Sequence, residues 1–364
     1  MLKGRRPARC RNKVRIRTLC KTRKECGTQR ESKRRPDIIV GMGATKDERR
    51  TEQRLTASRN LDCMSAIEIL RLMNREDRRV AVAVGRELPA IARAVDSIVK
   101  ALRGHGRLFY VGAGSSGRMA VLDAAEVPPT FGISGKRIIA LIAGGRRAVT
   151  GAVEGAEDSV REAANALRQH KLTEEDVVVG IAASGTTPYV LGGLRYARRR
   201  GATTVAITAN RKSPMARLAK IAIAGEIGPE VLTGSTRLKA GTFQKMVLNM
   251  LSTAAMARLG HVYENLMIDA EMTNTKLWGR AQRIVADASG ASVSAAGHAL
   301  RQAGHDMKAA VVMLKLGVNA AAAKKRLRYA GNLRAALGEA ARKKIRNNAE
   351  NTEAQRTRRQ RANG

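Results

Sequence analysis

Five short apolar runs, "RLFYV", "RIIALIA", "DVVVGIAA", "TTVAITA" and "KIAIA", recur through the middle of the chain, separated by stretches with helical periodicity. Each run is short and nearly uninterrupted, whereas a strand wetted on one face alternates apolar and polar residues. Strands of this kind are buried on both faces, as in parallel sheets covered by helices. Intervening segments such as Tyr189–Arg199 are long enough for the crossovers that parallel pairs require. The pattern predicts an α/β fold built on a doubly wound parallel sheet.

Helical stretches flank the sheet. Ahead of it, "LDCMSAIEILRLMNRED" sets Met64, Ile67, Ile69, Leu70 and Leu72 along one side, and "ELPAIARAVDSIVKAL" repeats the period. After Arg237, "LKAGTFQKMVLNMLSTAAMARLG" reads as a helix that stops at Gly260. Two or three further helices are expected, ending near Ala341. The expected organisation is a basic extension over 1–45, an N-terminal helical segment over 46–100, the sheet domain over 101–262, a C-terminal helical subdomain over 263–340 and a basic tail over 341–364.

Charge is concentrated at the ends. The chain of 364 residues has a formal net charge of +37, and residues 1–41 alone carry 15 Lys and Arg against 3 acids. Such termini attract polyanions non-specifically, and they say little about the fold. No apolar run is long enough to span a membrane, and no signal peptide follows the basic start. The four cysteines (Cys10, Cys20, Cys26 and Cys63) match no zinc or disulfide framework, which points to a reducing cytoplasm and no metal.

Ligands of an open parallel sheet bind beyond the carboxyl ends of its strands. Three loops in that position are rich in Gly, Ser and Thr: Gly112–Arg118 ("GAGSSGR"), Ala183–Tyr189 ("ASGTTPY") and Thr233–Gly241 ("TGSTRLKAG"). Backbone amides and hydroxyls at helix starts make such loops suited to a phosphate. The glycines of the first loop have the G-x-G-x-x-G spacing of a dinucleotide fingerprint. That fingerprint wants a carboxylate after the second strand, where this chain has Gly144, Gly145, Arg146 and Arg147. The serines at 115 and 116 have no particular use in a dinucleotide loop. A nicotinamide cofactor is therefore disfavoured.

Carboxylates stand near these loops: Asp123 and Glu126 after the first, then Glu154, Glu157 and Asp158 in "AVEGAEDS". Glu126 precedes "VPPT", whose two prolines are expected to end a helix and turn the carboxylate toward a cleft. Position alone favours a solvated residue at a helix end for Glu126 and leaves Glu157 ambiguous, and spacing does not make the two glutamates a pair. Lys239 either neutralises a substrate anion or sits at a helix start in solvent. The five histidines are isolated.

The blocks "GAGSSGRMAVLDAAEVPPTFG", "LIAGG", "AVEGAEDS", "GIAASGTTPYV" and "GPEVLTGSTRLKAGT", the last followed by "QK" and "VLNMLST", resemble those of the N-acetylmuramic acid 6-phosphate etherases. The resemblance runs from about Thr51 to Gly338. It implies a SIS (sugar isomerase) domain over 101–262, a homodimer and no cofactor. The implied reaction releases D-lactate and N-acetylglucosamine 6-phosphate by elimination and hydration in peptidoglycan recycling. The implied roles give Glu126 the proton donated to the departing lactate and Glu157 the abstraction of the C2 proton. Ser115, Ser116, Ser184 and Thr187, with Ser235 and Lys239, would hold the sugar phosphate.

Some residues depart from the family's pattern. Thr186 replaces an arginine, "NRKS" at Asn210–Ser213 replaces "NPGS", Glu264 replaces a glycine, and Arg146 and Arg147 stand where acidic or neutral residues are usual. Two other functions remain open: a non-catalytic SIS regulator that binds a sugar phosphate, and a nucleic-acid binder acting through the basic termini, for which no recognition motif speaks.

Overall fold

The computed structural model describes residues 50–339. The expected basic extension with Cys10, Cys20 and Cys26, the basic tail, and any polyanion contact through them lie outside those residues. Five parallel strands form one sheet in the order β2-β1-β3-β4-β5: β1 (Leu108–Gly112), β2 (Ile138–Ile142), β3 (Val177–Ile181), β4 (Thr203–Thr208) and β5 (Ile221–Ala224). Each coincides with one of the five apolar runs. In the central strands successive side chains feed opposite cores: Leu108 and Tyr110 go to one face, Phe109 and Val111 to the other. The near-continuous apolar strand is thus explained by cover on both sides.

On the first face lie α1 (Ala66–Arg103), α2 (Gly114–Phe131) and α7 (Lys239–Leu259). On the second lie α4 (Val160–Gln169), α5 (Pro188–Arg199) and α6 (Pro214–Leu218), with the four-residue α3 (Arg147–Thr150) between β2 and α4. The helix read at "LKAGTFQK…" ends as expected, with Gly260 at φ 86° after Leu259. Among the described residues the C-terminal region holds five helices rather than two or three: α8 (Thr275–Ser289), α9 (Val293–Gln302), α10 (Met307–Leu316), α11 (Ala320–Ala330) and α12 (Leu333–Ala336). Asn and Ser caps at 274, 292, 319 and 332 and Asp306 start these helices. They enclose a separate core around Val285, Leu300 and Val311.

Two expectations about helices need correction. The N-terminal apolar side is mostly not buried: Leu72 is, while Ile67 and Leu70 are 52% and 60% exposed. One 38-residue helix, α1, carries both periodic segments, with Pro89 inside it. Likewise, Pro128 and Pro129 do not end α2, which continues to Phe131 and stops at Gly132 in the left-handed region. Their missing amides remove the bonds to the carbonyls of residues 124 and 125. They fall in the helix's last turn, and the Pro128 carbonyl still accepts from the Gly132 amide at 2.8 Å.

The end of the sheet opposite the loops is fastened by Asp176. Its carboxylate accepts from the Arg107 amide at 2.7 Å, the Arg107 guanidinium at 2.8 Å and the Thr173 amide at 2.8 Å. Burial raises its carboxyl, but these hydrogen bonds outweigh burial and hold it below the usual aspartate range. A lowered carboxyl contributes stability above the unfolded value of about 3.9, and that contribution disappears as pH falls through the lower folded value. Asp176→Asn should therefore cost about 3 kcal/mol in urea unfolding at neutral pH. The deficit should shrink as both proteins are titrated below about pH 4.

Candidate active site

Sheet order 2-1-3-4-5 reverses direction between β1 and β3, and the crevice at such a switch point is where an open α/β sheet binds ligands. The register pairs Gly112 with Ile181, so the loops leaving β1 and β3 emerge side by side. The first leads into α2 with half-buried Ser115 and Ser116 in its opening turn. The second leads through Ser184 and Thr187 into α5, where Thr187 is the cap and Pro188 the first residue. Opening-turn amides have no acceptor within their own helix, so both helix starts face the switch point with free donors.

The G-x-G-x-x-G spacing of the first loop has a local explanation. A Cβ on Gly112 would come within 2.8 Å of the Gly117 nitrogen, and one on Gly117 within 2.5 Å of the Ile142 side chain. These glycines let α2 lie directly on β1 and β2. In the second loop Gly185 has φ 70°, and a Cβ there would meet the Ser213 Oγ at 2.3 Å. The Ser184 hydroxyl accepts from the Thr186 amide at 3.2 Å and from the Thr186 hydroxyl at 2.9 Å. Thr186, where the resemblance has an arginine, thus orients a serine instead of supplying a charge.

Glu157 joins this site from the segment between β2 and α4. After Gly151 the chain turns at Gly155 (φ 71°) into a single 3-10 turn, Ala156–Asp158, which exposes Glu157. A cavity of about 260 Å3 is lined by Gly114, Arg118, Val153 and Glu157, placing this carboxylate beside the start of α2. Arg118 spans the gap. Its Nε donates to the carbonyls of Ala148 and Val149 at 3.0 and 3.1 Å, and its Nη2 to that of Gly151 at 2.8 Å. This residue was not singled out in the sequence, although an arginine one turn into a helix after a Gly/Ser loop is a visible signal.

Glu126 is not in that cavity. It is exposed and lies twelve residues along α2 from Gly114, about 18 Å at 1.5 Å per residue. Within the chain the two glutamates do not come together. Asp123, one turn earlier, is buried and accepts from Tyr110 at 2.9 Å, Asn249 at 3.0 Å and Ser252 at 3.0 Å. Burial raises its carboxyl against the pull of those donors. The cluster locks α2 to β1 and α7 and so fixes the axis that carries Glu126.

The third loop is organised differently. Ser235 is half-buried ahead of α7. Lys239, expected either to meet a substrate anion or to sit in solvent, does neither. It is 1% exposed, and its ammonium donates to Glu76 at 2.8 Å. The Glu230 carboxylate accepts the amides of Lys239 and Ala240 at the start of α7, a cap the sequence reading missed. Of the other departures, Arg211 of "NRKS" bonds buried Glu87, and Glu264 occupies φ 52°, a region that favours glycine.

Phosphate-suited loops at the switch point of a parallel sheet are what a SIS-domain protein requires. Two family models agree: the glucokinase regulatory protein N-terminal SIS domain matches residues 90–198, and the SIS domain matches residues 159–254. Solved structures include a phosphosugar isomerase involved in capsule formation from Bacteroides fragilis, described as putative, at 22% identity and TM-score 0.42. That match covers 57% of this chain and 98% of that one. The N-acetylmuramic acid 6-phosphate etherases of Yersinia pestis and Yersinia pseudotuberculosis are each 53% identical over 288 residues, covering 79% of this chain and 98% of theirs. The chain belongs to the N-acetylmuramic acid 6-phosphate etherase family.

Proposed function

We propose that the chain is a carbon–oxygen lyase that cleaves the D-lactyl ether of N-acetylmuramic acid 6-phosphate, releasing D-lactate and leaving N-acetylglucosamine 6-phosphate. The observation that carries the mechanism is the cavity shared by Glu157 and the start of α2. With the phosphate held by Ser115, Ser116, Ser184 and Thr187, the rest of the sugar extends toward the carboxylate. In the open-chain form the C1 aldehyde acidifies the C2 proton. Glu157 takes that proton, and electrons move into the C2–C3 bond. The ether oxygen leaves C3 as lactate, taking a proton from Glu126. Water then adds at C3 of the unsaturated aldehyde, and a proton returns to C2.

Glu126 reaches this chemistry in a homodimer, as the acid of the partner's cavity. Its helix face supports this: Leu122, one turn before Glu126, is 49% exposed. On α1, Val82 and Leu88 are exposed as well, and an apolar groove of about 870 Å3 runs between α1 and α7 past Ile91, Val95, Met246 and Met250. Association covers these surfaces and sets a carboxylate from one copy against the other. No helix among the described residues is long and apolar enough to cross a membrane.

The test is release of D-lactate from N-acetylmuramic acid 6-phosphate by the purified protein. Turnover is expected. A folded protein that binds the sugar phosphate without releasing lactate would instead be the non-catalytic regulator, the reading favoured by the distance between Glu126 and Glu157 within one protomer.

A further inference from the structure

We infer that Arg118 is a positioning residue that fixes the Glu157 carboxylate relative to the phosphate-binding end of α2. The inference rests on the catalytic role proposed for Glu157. That carboxylate has no hydrogen bond of its own among the described contacts, so its location is set by its backbone. The backbone in question is weakly built. It leaves β2 through Gly144 and Gly145, both at positive φ, forms only the four-residue α3, and turns again at Gly155. Val153 packs against Gly144, and Ala156 against the second core.

A helix this short satisfies few of its own carbonyls. The carbonyls of Gly145, Arg146 and Arg147 accept the amides of Ala148, Val149 and Gly151 at 3.0, 3.2 and 3.2 Å, and the turn is then over. The carbonyls of Ala148, Val149 and Gly151 converge on one guanidinium. A planar fork of fixed donors suits three acceptors in a row, and its full charge strengthens each bond. Arg118 stands within one turn of Ser115 and Ser116 on the same helix. The clamp and the α2 part of the phosphate grip therefore share one helix, and the clamped turn leads into the segment that carries Glu157. A lysine has the charge but not the fork, so the conservative exchange is informative.

The experiment compares the full-length parent with Arg118→Lys and Arg118→Ala, using N-acetylmuramic acid 6-phosphate for kinetics and amide hydrogen exchange on the unliganded proteins. The kcat for D-lactate release should fall about 100-fold in Arg118→Ala, the cost of misplacing a reacting group by about 1 Å. KM should change little, because the serines are untouched. Arg118→Lys should recover only a small part of the loss. Added guanidinium ion should restore Arg118→Ala toward the parent and do nothing for Glu157→Ala. Exchange should quicken over residues 147–158 and not in β1 or β3. Parental kcat in Arg118→Ala, a loss confined to KM, or rescue by lysine equal to the parent would overturn the inference. If the parent releases no lactate, the etherase reading fails, and exchange alone decides: unchanged protection over 147–158 rejects the clamp. If Arg118→Ala does not fold, Arg118→Lys gives both readouts.

Discussion

Glu157→Gln is expected to lower kcat for D-lactate release about 1,000-fold, within the span that general acid–base groups contribute. The residue is exposed in a single 3-10 turn, and the amide keeps its shape, so unfolding stability should stay within about 0.5 kcal/mol of the parent. Loss of activity without loss of fold would isolate the carboxylate's chemistry. Glu126→Gln should lower lactate release by a similar factor, since an amide cannot donate the proton that the departing alkoxide needs. The two variants differ in a second measurement. With substrate in deuterated water, Glu126→Gln should still exchange the C2 proton, because its base is intact, whereas Glu157→Gln should not. The reverse pattern would exchange the two roles. Exchange and lactate lost together in both would mean that neither carboxylate acts at a separable step.

Much of the fold is legible in the sequence. The strands could be read because a sheet covered on both faces leaves no room for alternation, so "DVVVGI" and "TTVAIT" declare themselves. The sheet order of the structure then brings the loops that carry Ser115 and Ser184 side by side, although 69 positions separate the two residues. Residues whose role depends on partners far along the chain were not legible. Lys239 looks free in "TRLKAG" because nothing nearby announces Glu76, which approaches from α1. The proline pair after Glu126 carries a strong local signal that yields to packing: Phe131 is buried in the core, and the last turn of α2 persists to place it there. The exposed face of α1 misled for the opposite reason. Its apolar period is real, yet the chain by itself does not bury Ile67 or Leu70.

That unburied surface and the separation of the two glutamates lead to the same test. Glu126→Ala and Glu157→Ala, each nearly inactive alone, should recover about one quarter of parental activity when co-expressed and assembled at random. The arithmetic depends on where the acid comes from. Half of the dimers then contain one chain of each kind. If Glu126 serves the partner's cavity, each mixed dimer has one site with Glu157 from one chain and Glu126 from the other, while its second site has neither. Half of the dimers with half of their sites intact gives a quarter. If both glutamates acted within one protomer, every site in every dimer would lack one of them, and mixing would restore nothing. Size-exclusion chromatography with light scattering on the parent belongs beside this assay, because a stable monomer would remove the mixed species altogether. A quarter of the activity from two inactive chains would assign the acid to one subunit and the base to the other. It would also explain why a helix carries Glu126 on an exposed face, about 18 Å from the start of α2 that lies beside Glu157 in its own chain.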